Sequence, residues 1–115
     1  MSKQGNQQRS ETRFQHAGKT WKFVPEFDAI CAVEGLTGAS FLEILERARQ
    51  SKVRFTDYAA LLAEFSRAGG EEMPRAVIAE LMRTRFAETN RLAIELICGA
   101  FQSPEDSSAN PPAAA

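Results

Sequence analysis

The side chains best suited to chemistry in this sequence are a single histidine, two cysteines and many carboxylates. His16 has no second metal ligand near it in sequence, and no C-x-x-C, H-x-x-x-H or acidic metal-binding loop occurs. Gly69-Gly70 is followed by Glu71-Glu72, whose charges would repel a phosphate, so this glycine pair indicates a helix end. The sequence therefore predicts a surface histidine and a protein that is not an enzyme and binds no metal or cofactor.

The two cysteines both occur within apolar helical patterns. Cys31 and Cys98 are too few to form a disulfide framework, and a free cysteine commonly behaves as a small buried hydrophobe. No apolar segment that would act as a secretory signal follows Met1, and no apolar run approaches the ~20 residues that span a bilayer. We therefore expect buried, reduced thiols in a cytoplasmic protein that has no membrane partner.

One carboxylate stands out because it shares a predicted helix face with apolar residues. Glu34 lies three to seven residues after Phe27, Ile30 and Cys31, at the spacing of one helical stripe. A carboxylate that is partly buried needs a partner. Glu34 is therefore expected either to make a contact within the chain, such as a helix-end contact, or to contact a binding partner.

The net charge of −1 gives the whole protein no electrostatic reason to bind nucleic acid. The first 22 residues carry five basic residues against one acidic residue, a local net charge of +4. Without an ordered basic helix, such a segment supports only weak, salt-sensitive binding. A small DNA-binding regulator is kept as an alternative, although a recognition helix starting at Pro74 would follow Glu71 and Glu72 and carry Glu80.

The 115 residues suffice for one domain. Residues 1–12 contain no apolar residue after Met1, and residues 103–115 contain three prolines among small or polar residues. Such segments cannot bury enough surface to offset the entropy lost on ordering. We expect a disordered basic tail at 1–12, a helical domain at 13–102 and a disordered Pro/Ala/Ser tail at 103–115.

The predicted domain begins with a β-hairpin and continues with helices. Residues 13–24 alternate aromatic and polar side chains around a turn at Ala17-Gly18-Lys19. Apolar residues at helical spacing then predict five helices, at about 26–34, 40–51, 56–69, 74–83 and 87–101. Ser40 with Glu43, Thr56 with Asp57, and Pro74 are the expected helix starts. The fold class is therefore mostly α, a small bundle of about five short helices preceded by an N-terminal β-hairpin.

Five residues are candidates for contacts with a partner protein. They are Trp21, Phe23, Glu34, Tyr58 and Phe86. The four aromatic residues also fit the hydrophobic core, and the sequence favours that role over contact with a partner while leaving both open.

The order of these features resembles a known family. A glycine turn leads into the short aromatic strand Gly18–Phe23. The first helix ends in Glu34-Gly35, a capped second helix follows, and the third helix begins near Tyr58 and ends in Gly69-Gly70. Over about residues 13–102 the chain resembles the small tail protein of gene transfer agents and of related long-tailed phages. That family often has a glycine where this chain has Arg83-Thr84-Arg85, at a predicted short break between the fourth and fifth helices.

The resemblance implies a tail assembly chaperone in the cytoplasm of a bacterial host cell, where it holds the tape-measure or tail-tube protein soluble during tail morphogenesis. A structural tail component retained in the particle is the alternative within the same family. The sequence leaves open whether the chain forms a homo-oligomer. An exposed apolar groove that covers a partner's amphipathic helix would fit the chaperone role.

Overall fold

A two-stranded hairpin precedes five helices in this computed structural model, which describes residues 11–101. The strands are β1 (Thr12–His16) and β2 (Lys19–Phe23), and the helices are α1 (Phe27–Thr37), α2 (Phe41–Arg49), α3 (Phe55–Ala68), α4 (Arg75–Thr84) and α5 (Phe86–Gly99). This architecture confirms the predicted fold class. The predicted disorder of 1–12 and 103–115 falls almost wholly outside the described residues.

The hairpin forms because its turn residues adopt the conformation that a tight turn requires. Ala17 and Gly18 both have positive φ, 53° and 78°, which is typical of a two-residue hairpin turn. The antiparallel register places Phe14 opposite Trp21 and Thr12 opposite Phe23. Because side chains alternate along a strand, Trp21 and Phe23 share one face and are buried together. The hairpin is thereby attached to the helices through its aromatic face.

Helix α3 is the centre of the packing. It contacts α1, α4, α5 and β2, and Leu61, Leu62 and Phe65 on its inner face are fully buried. Burial of each such side chain contributes roughly 1.5–3 kcal/mol to folding. The backbone just after β2 also contacts α3 directly, since the Val24 N–H donates to the Phe65 carbonyl at 3.0 Å. The other elements are therefore arranged around α3.

The predicted inner face of the first helix was wrong. Ala29 and Val33 face the core, whereas Phe27 is 76% exposed and Cys31 is also exposed. Helix α1 makes its most extensive helix contact with α3, and small side chains allow the two backbones to approach closely. The expected burial of the thiols was also wrong for Cys98, which lies on the outer face of α5.

The helix ends match the sequence signals in part. Ser40 and Glu43 form the predicted capping box, with the Glu43 N–H donating to Ser40 Oγ at 3.0 Å and the Ser40 N–H donating to Glu43 Oε1 at 2.7 Å. The predicted Thr56 cap was wrong, because α3 begins one residue earlier and Arg54 occupies the N-cap. Pro74 is likewise the N-cap of α4 instead of its first helical residue. The break between α4 and α5 occurs at Arg85.

Candidate protein-binding surface

The structure separates the five candidate interaction residues into core and surface. Trp21, Phe23 and Tyr58 are buried among the helices, while Phe86 is 45% exposed at the start of α5. Glu34 is half-buried, and its Oε2 accepts a hydrogen bond from the Phe41 N–H at 2.8 Å. That contact gives a hydrogen-bond acceptor to a backbone N–H in the first turn of α2, which has no partner within the helix. Glu34 therefore makes the helix-end contact that was one of its two expected roles.

Tyr58 connects the core to the exposed aromatic surface. Its hydroxyl donates to Asn90 Oδ1 at 2.6 Å, which ties α3 to α5. Burial raises the pKa of the Tyr58 hydroxyl, and the nearby Asp57 charge raises it further. The Tyr58 ring meets Phe86 edge-on at 5.7 Å between centroids and lies 6.5 Å from Phe55. The buried Tyr58 ring thus packs against both exposed rings, Phe55 and Phe86.

Phe55 is an exposed apolar residue that borders a mostly apolar depression. Its side chain is 72% exposed at the first position of α3. A groove of about 440 Å³ runs beside it between α3 and α4. Its lining residues, which define the α3–α4 groove, are Phe55 and Ala59 from α3 and Arg75, Ile78, Ala79, Met82 and Arg83 from α4. Five of these seven side chains are apolar, so the groove offers an apolar floor with charge only at the arginines.

A second depression of about 450 Å³ continues from Phe55 towards the end of α1. It shares Phe55, Ala59 and Arg75 with the α3–α4 groove and reaches the exposed side chain of Leu36. Its far end is polar, because Arg67 pairs there with Glu64 at 3.1 Å and with Glu72 at 3.3 Å. The apolar part of this surface is therefore centred on Phe55.

The position of Phe55 depends on a buried carboxylate two residues later. Asp57 is fully buried and accepts hydrogen bonds from the Arg54 N–H at 2.9 Å, from Arg54 Nη2 at 2.9 Å and from Arg47 Nη1 at 3.2 Å. Arg54 Nη2 also donates to the Thr37 carbonyl at 2.9 Å. Asp57, and not Thr56, therefore supplies the cap of α3, and the same cluster ties the ends of α1 and α2 to the base of the groove.

The protonation of Asp57 reflects opposing effects. Burial of the carboxyl would by itself raise its pKa, but hydrogen bonds from Arg54 and the positive charges of Arg54 and Arg47 outweigh it. The pKa of Asp57 consequently lies below its usual value, and the carboxylate is ionised at neutral pH.

His16 is not the surface residue that the sequence predicted. Its side chain is only 10% exposed, and its Nδ1 lies 3.0 Å from Arg85 Nη1, which also donates to the Gln15 carbonyl at 2.9 Å. The Arg85 guanidinium lies over the Phe14 ring at 4.7 Å. These contacts hold β1 against the junction of α4 and α5.

Across residues 11–101, no group of three His, Cys, Asp or Glu side chains is arranged to hold a metal ion.

Phe55 was missed at the sequence level, although a signal for it was present. The predicted third helix starts at Thr56, so Phe55 was left out of it. Phe55 nevertheless precedes Tyr58 by three residues and Leu62 by seven, which is the spacing of the predicted apolar face, and this spacing was the available signal. In the stretch from residue 11 to residue 101, no helix has the length and apolar composition needed to cross a membrane.

Comparison with known proteins matches the chain to a protein family. The family described as "Phage tail tube protein, GTA-gp10" matches residues 9–103, most of the chain and all of the described fold. Searches of curated proteins and of solved structures gave no match. The family description is that of a structural tail protein and not of an enzyme. On the extent of this match, the chain belongs to the phage and gene transfer agent family of tail tube proteins.

Proposed function

We propose that this chain is a non-enzymatic tail assembly chaperone that acts in the bacterial cytoplasm. It covers apolar segments of the tape-measure or tail-tube protein until the tail polymerises. The family places the chain among tail proteins. The observation that carries the chaperone role is the exposure of Phe55 beside an apolar groove, because a large apolar side chain exposed at such a site is typical of a protein-binding surface.

The proposal is tested by co-expressing the chain with the tape-measure protein encoded in the same gene cluster. We expect the soluble yield of the tape-measure protein to rise several-fold in the presence of the wild-type chain. The Phe55→Ser variant should lose most of this effect, since it removes the most exposed large apolar side chain of the groove.

Leu42→Ser is the matched control. Leu42 is also exposed and also lies in the first turn of its helix, α2, but it does not line the α3–α4 groove. If the wild-type chain leaves the solubility of both the tape-measure and the tail-tube protein unchanged, the chaperone role is rejected. If Leu42→Ser is as damaging as Phe55→Ser, the role of the groove is rejected.

A structural component that stays in the particle is the second candidate. It is favoured by the family description, which names a tail tube protein. Mass spectrometry of purified particles separates the two functions. A chaperone should be absent or far below the copy number of the tube subunit, whereas a tube component should be present at a constant stoichiometry.

A further inference from the structure

We infer that the α3–α4 groove binds one amphipathic helix whose apolar side is flanked by acidic residues about two turns apart. This inference concerns the chemistry of the partner segment. Only one part of it rests on the proposed function, namely that the molecule bound in the groove is another tail protein.

The shape of the groove favours a helix as the occupant. Its floor is formed by Ala59, Ile78, Ala79 and Met82, which lie along two neighbouring helices, and Phe55 forms its edge. Grooves between helices commonly accept the apolar side of an amphipathic helix. Small alanine side chains leave room for the larger apolar residues of a partner, and methionine adapts its shape to them.

The charge of the groove identifies the polar part of the partner. Arg75 and Arg83 line the groove and carry two positive charges, and none of its seven lining residues within 11–101 is acidic. Considering only contacts among residues 11–101, neither arginine forms a salt bridge, whereas Arg67 on the neighbouring depression pairs with two glutamates. The two arginines are therefore available for carboxylates of a bound molecule, and guanidinium groups suit carboxylates because they can bind both oxygens at once.

The spacing of the arginines sets the spacing of the partner's acids. Arg83 follows Arg75 by eight positions in α4, which corresponds to about 12 Å along the helix axis at 1.5 Å per residue. An acidic pair seven or eight residues apart on a bound helix spans about the same distance. The partner segment should therefore present apolar residues between two glutamates or aspartates at this separation.

Binding is measured by fluorescence anisotropy of a labelled peptide of about 15 residues, long enough to form a helix on binding. The probe carries leucines at helical spacing and two glutamates seven residues apart beside them. Two further peptides replace these glutamates with lysines, or scramble the leucine positions at constant composition. We expect the glutamate peptide to bind the full chain at least tenfold more tightly than either of the others.

Charge reversal of the groove provides the decisive variants. Arg75→Glu together with Arg83→Glu should weaken the glutamate peptide about tenfold and reverse the preference towards the lysine peptide. Arg49→Glu is the control, because Arg49 lies in the last turn of α2 as Arg83 lies in the last turn of α4, away from the groove. If circular dichroism shows that the charge-reversed chain is unfolded, Arg75→Gln with Arg83→Gln replaces it, with a smaller loss of glutamate-peptide affinity expected.

The inference is overturned if the lysine or scrambled peptide binds as well as the glutamate peptide, or if the arginine variants leave its affinity unchanged. It is also overturned if analytical ultracentrifugation shows a dimer that Phe55→Ser dissociates, since a second copy would then occupy the groove. The co-expression test of the proposed function can fail independently of the peptide-binding test. Groove-dependent peptide binding without any effect on tape-measure or tail-tube solubility would retain this inference and reject the chaperone role.

Discussion

Replacement of the buried carboxylate at the base of the groove, Asp57→Asn, should destabilise the fold in a pH-dependent way. Asparagine has nearly the same shape and keeps one oxygen that can accept the Arg54 N–H. It removes the negative charge that both guanidinium groups contact, and it points an amide NH2 towards one of them. The substitution therefore tests the electrostatic part of the cluster with little change in packing.

The expected loss follows from the contacts and their exposure. Hydrogen bonds to a charged group contribute roughly 1.5–3 kcal/mol each when they are buried. Asp57 is fully buried, but the side chains of Arg47 and Arg54 are 27% and 44% exposed, so water screens them and a lower figure applies. We expect the free energy of unfolding to fall by about 2 kcal/mol, which for a domain of this size lowers Tm by roughly 10 °C.

The pH dependence follows from the lowered pKa of Asp57. In the unfolded chain the carboxyl has a pKa of roughly 3.9, and in the folded protein its pKa is lower. The stabilisation is therefore fully present above about pH 4 to 5 and is lost as pH falls through the folded-state pKa. The difference in stability between wild type and Asp57→Asn should be constant from pH 5 to 8 and should shrink below pH 4.

The assay is urea unfolding followed by circular dichroism at pH 7, 5 and 3. Glu71→Gln is the control, since its carboxylate pairs with Lys19 at 2.9 Å on an exposed surface and should have little effect at any of these pH values. A variant with the stability of the wild type at pH 7 would refute the reasoning. So would a loss that is the same at pH 3 as at pH 7, because it would have a cause other than the charge.

Three further predictions concern the backbone, a helix end and the thiols. Gly69→Ala should lower the free energy of unfolding by about 2 kcal/mol, because a Cβ there would collide with the Lys22 backbone carbonyl, and thermal unfolding measures this. Gly35→Ala, in open space within α1, should instead raise it by roughly 0.5–1 kcal/mol. Ser40→Ala should cost about 1 kcal/mol in a urea titration through loss of the α2 cap; no change would show that the capping box is dispensable. Both cysteine thiols should react with a thiol reagent in the native protein, and protection of either one would contradict the exposed outer faces of α1 and α5.

Most of the fold could be predicted because its signals are local. The spacing of apolar residues located all five helices, and the pair Ser40 and Glu43 identified the start of α2 from the sequence alone. The turn at Ala17-Gly18 likewise located the hairpin. Periodicity and capping depend on residues close together in the chain, so one sequence is enough to reveal them.

The binding surface could be predicted only in outline. Among the five candidates, the structure buries three aromatic residues and engages Glu34 at the start of α2, which leaves Phe86 exposed. Phe55 escaped prediction because Thr56 looked like a helix cap, whereas Asp57 accepts the backbone N–H of Arg54 and also binds Arg47 on α2. Arg54 in turn donates to the Thr37 carbonyl at the end of α1. That arrangement depends on contacts with α1 and α2, and such contacts are not encoded in the local pattern around residue 55.

The sequence by itself determined that this chain forms short amphipathic helices behind a hairpin and lacks the residue patterns of a metal or nucleotide site. Only the tertiary structure decided which apolar residues remain for a partner. Helix α1 shows the reason. The helical spacing of Phe27, Ile30 and Cys31 suggested one inner face, but Ala29 and Val33 are the residues that are buried where α1 packs on α3. Periodicity shows that a helix has an apolar face, whereas the fit between neighbouring helices selects the side chains that fill the core.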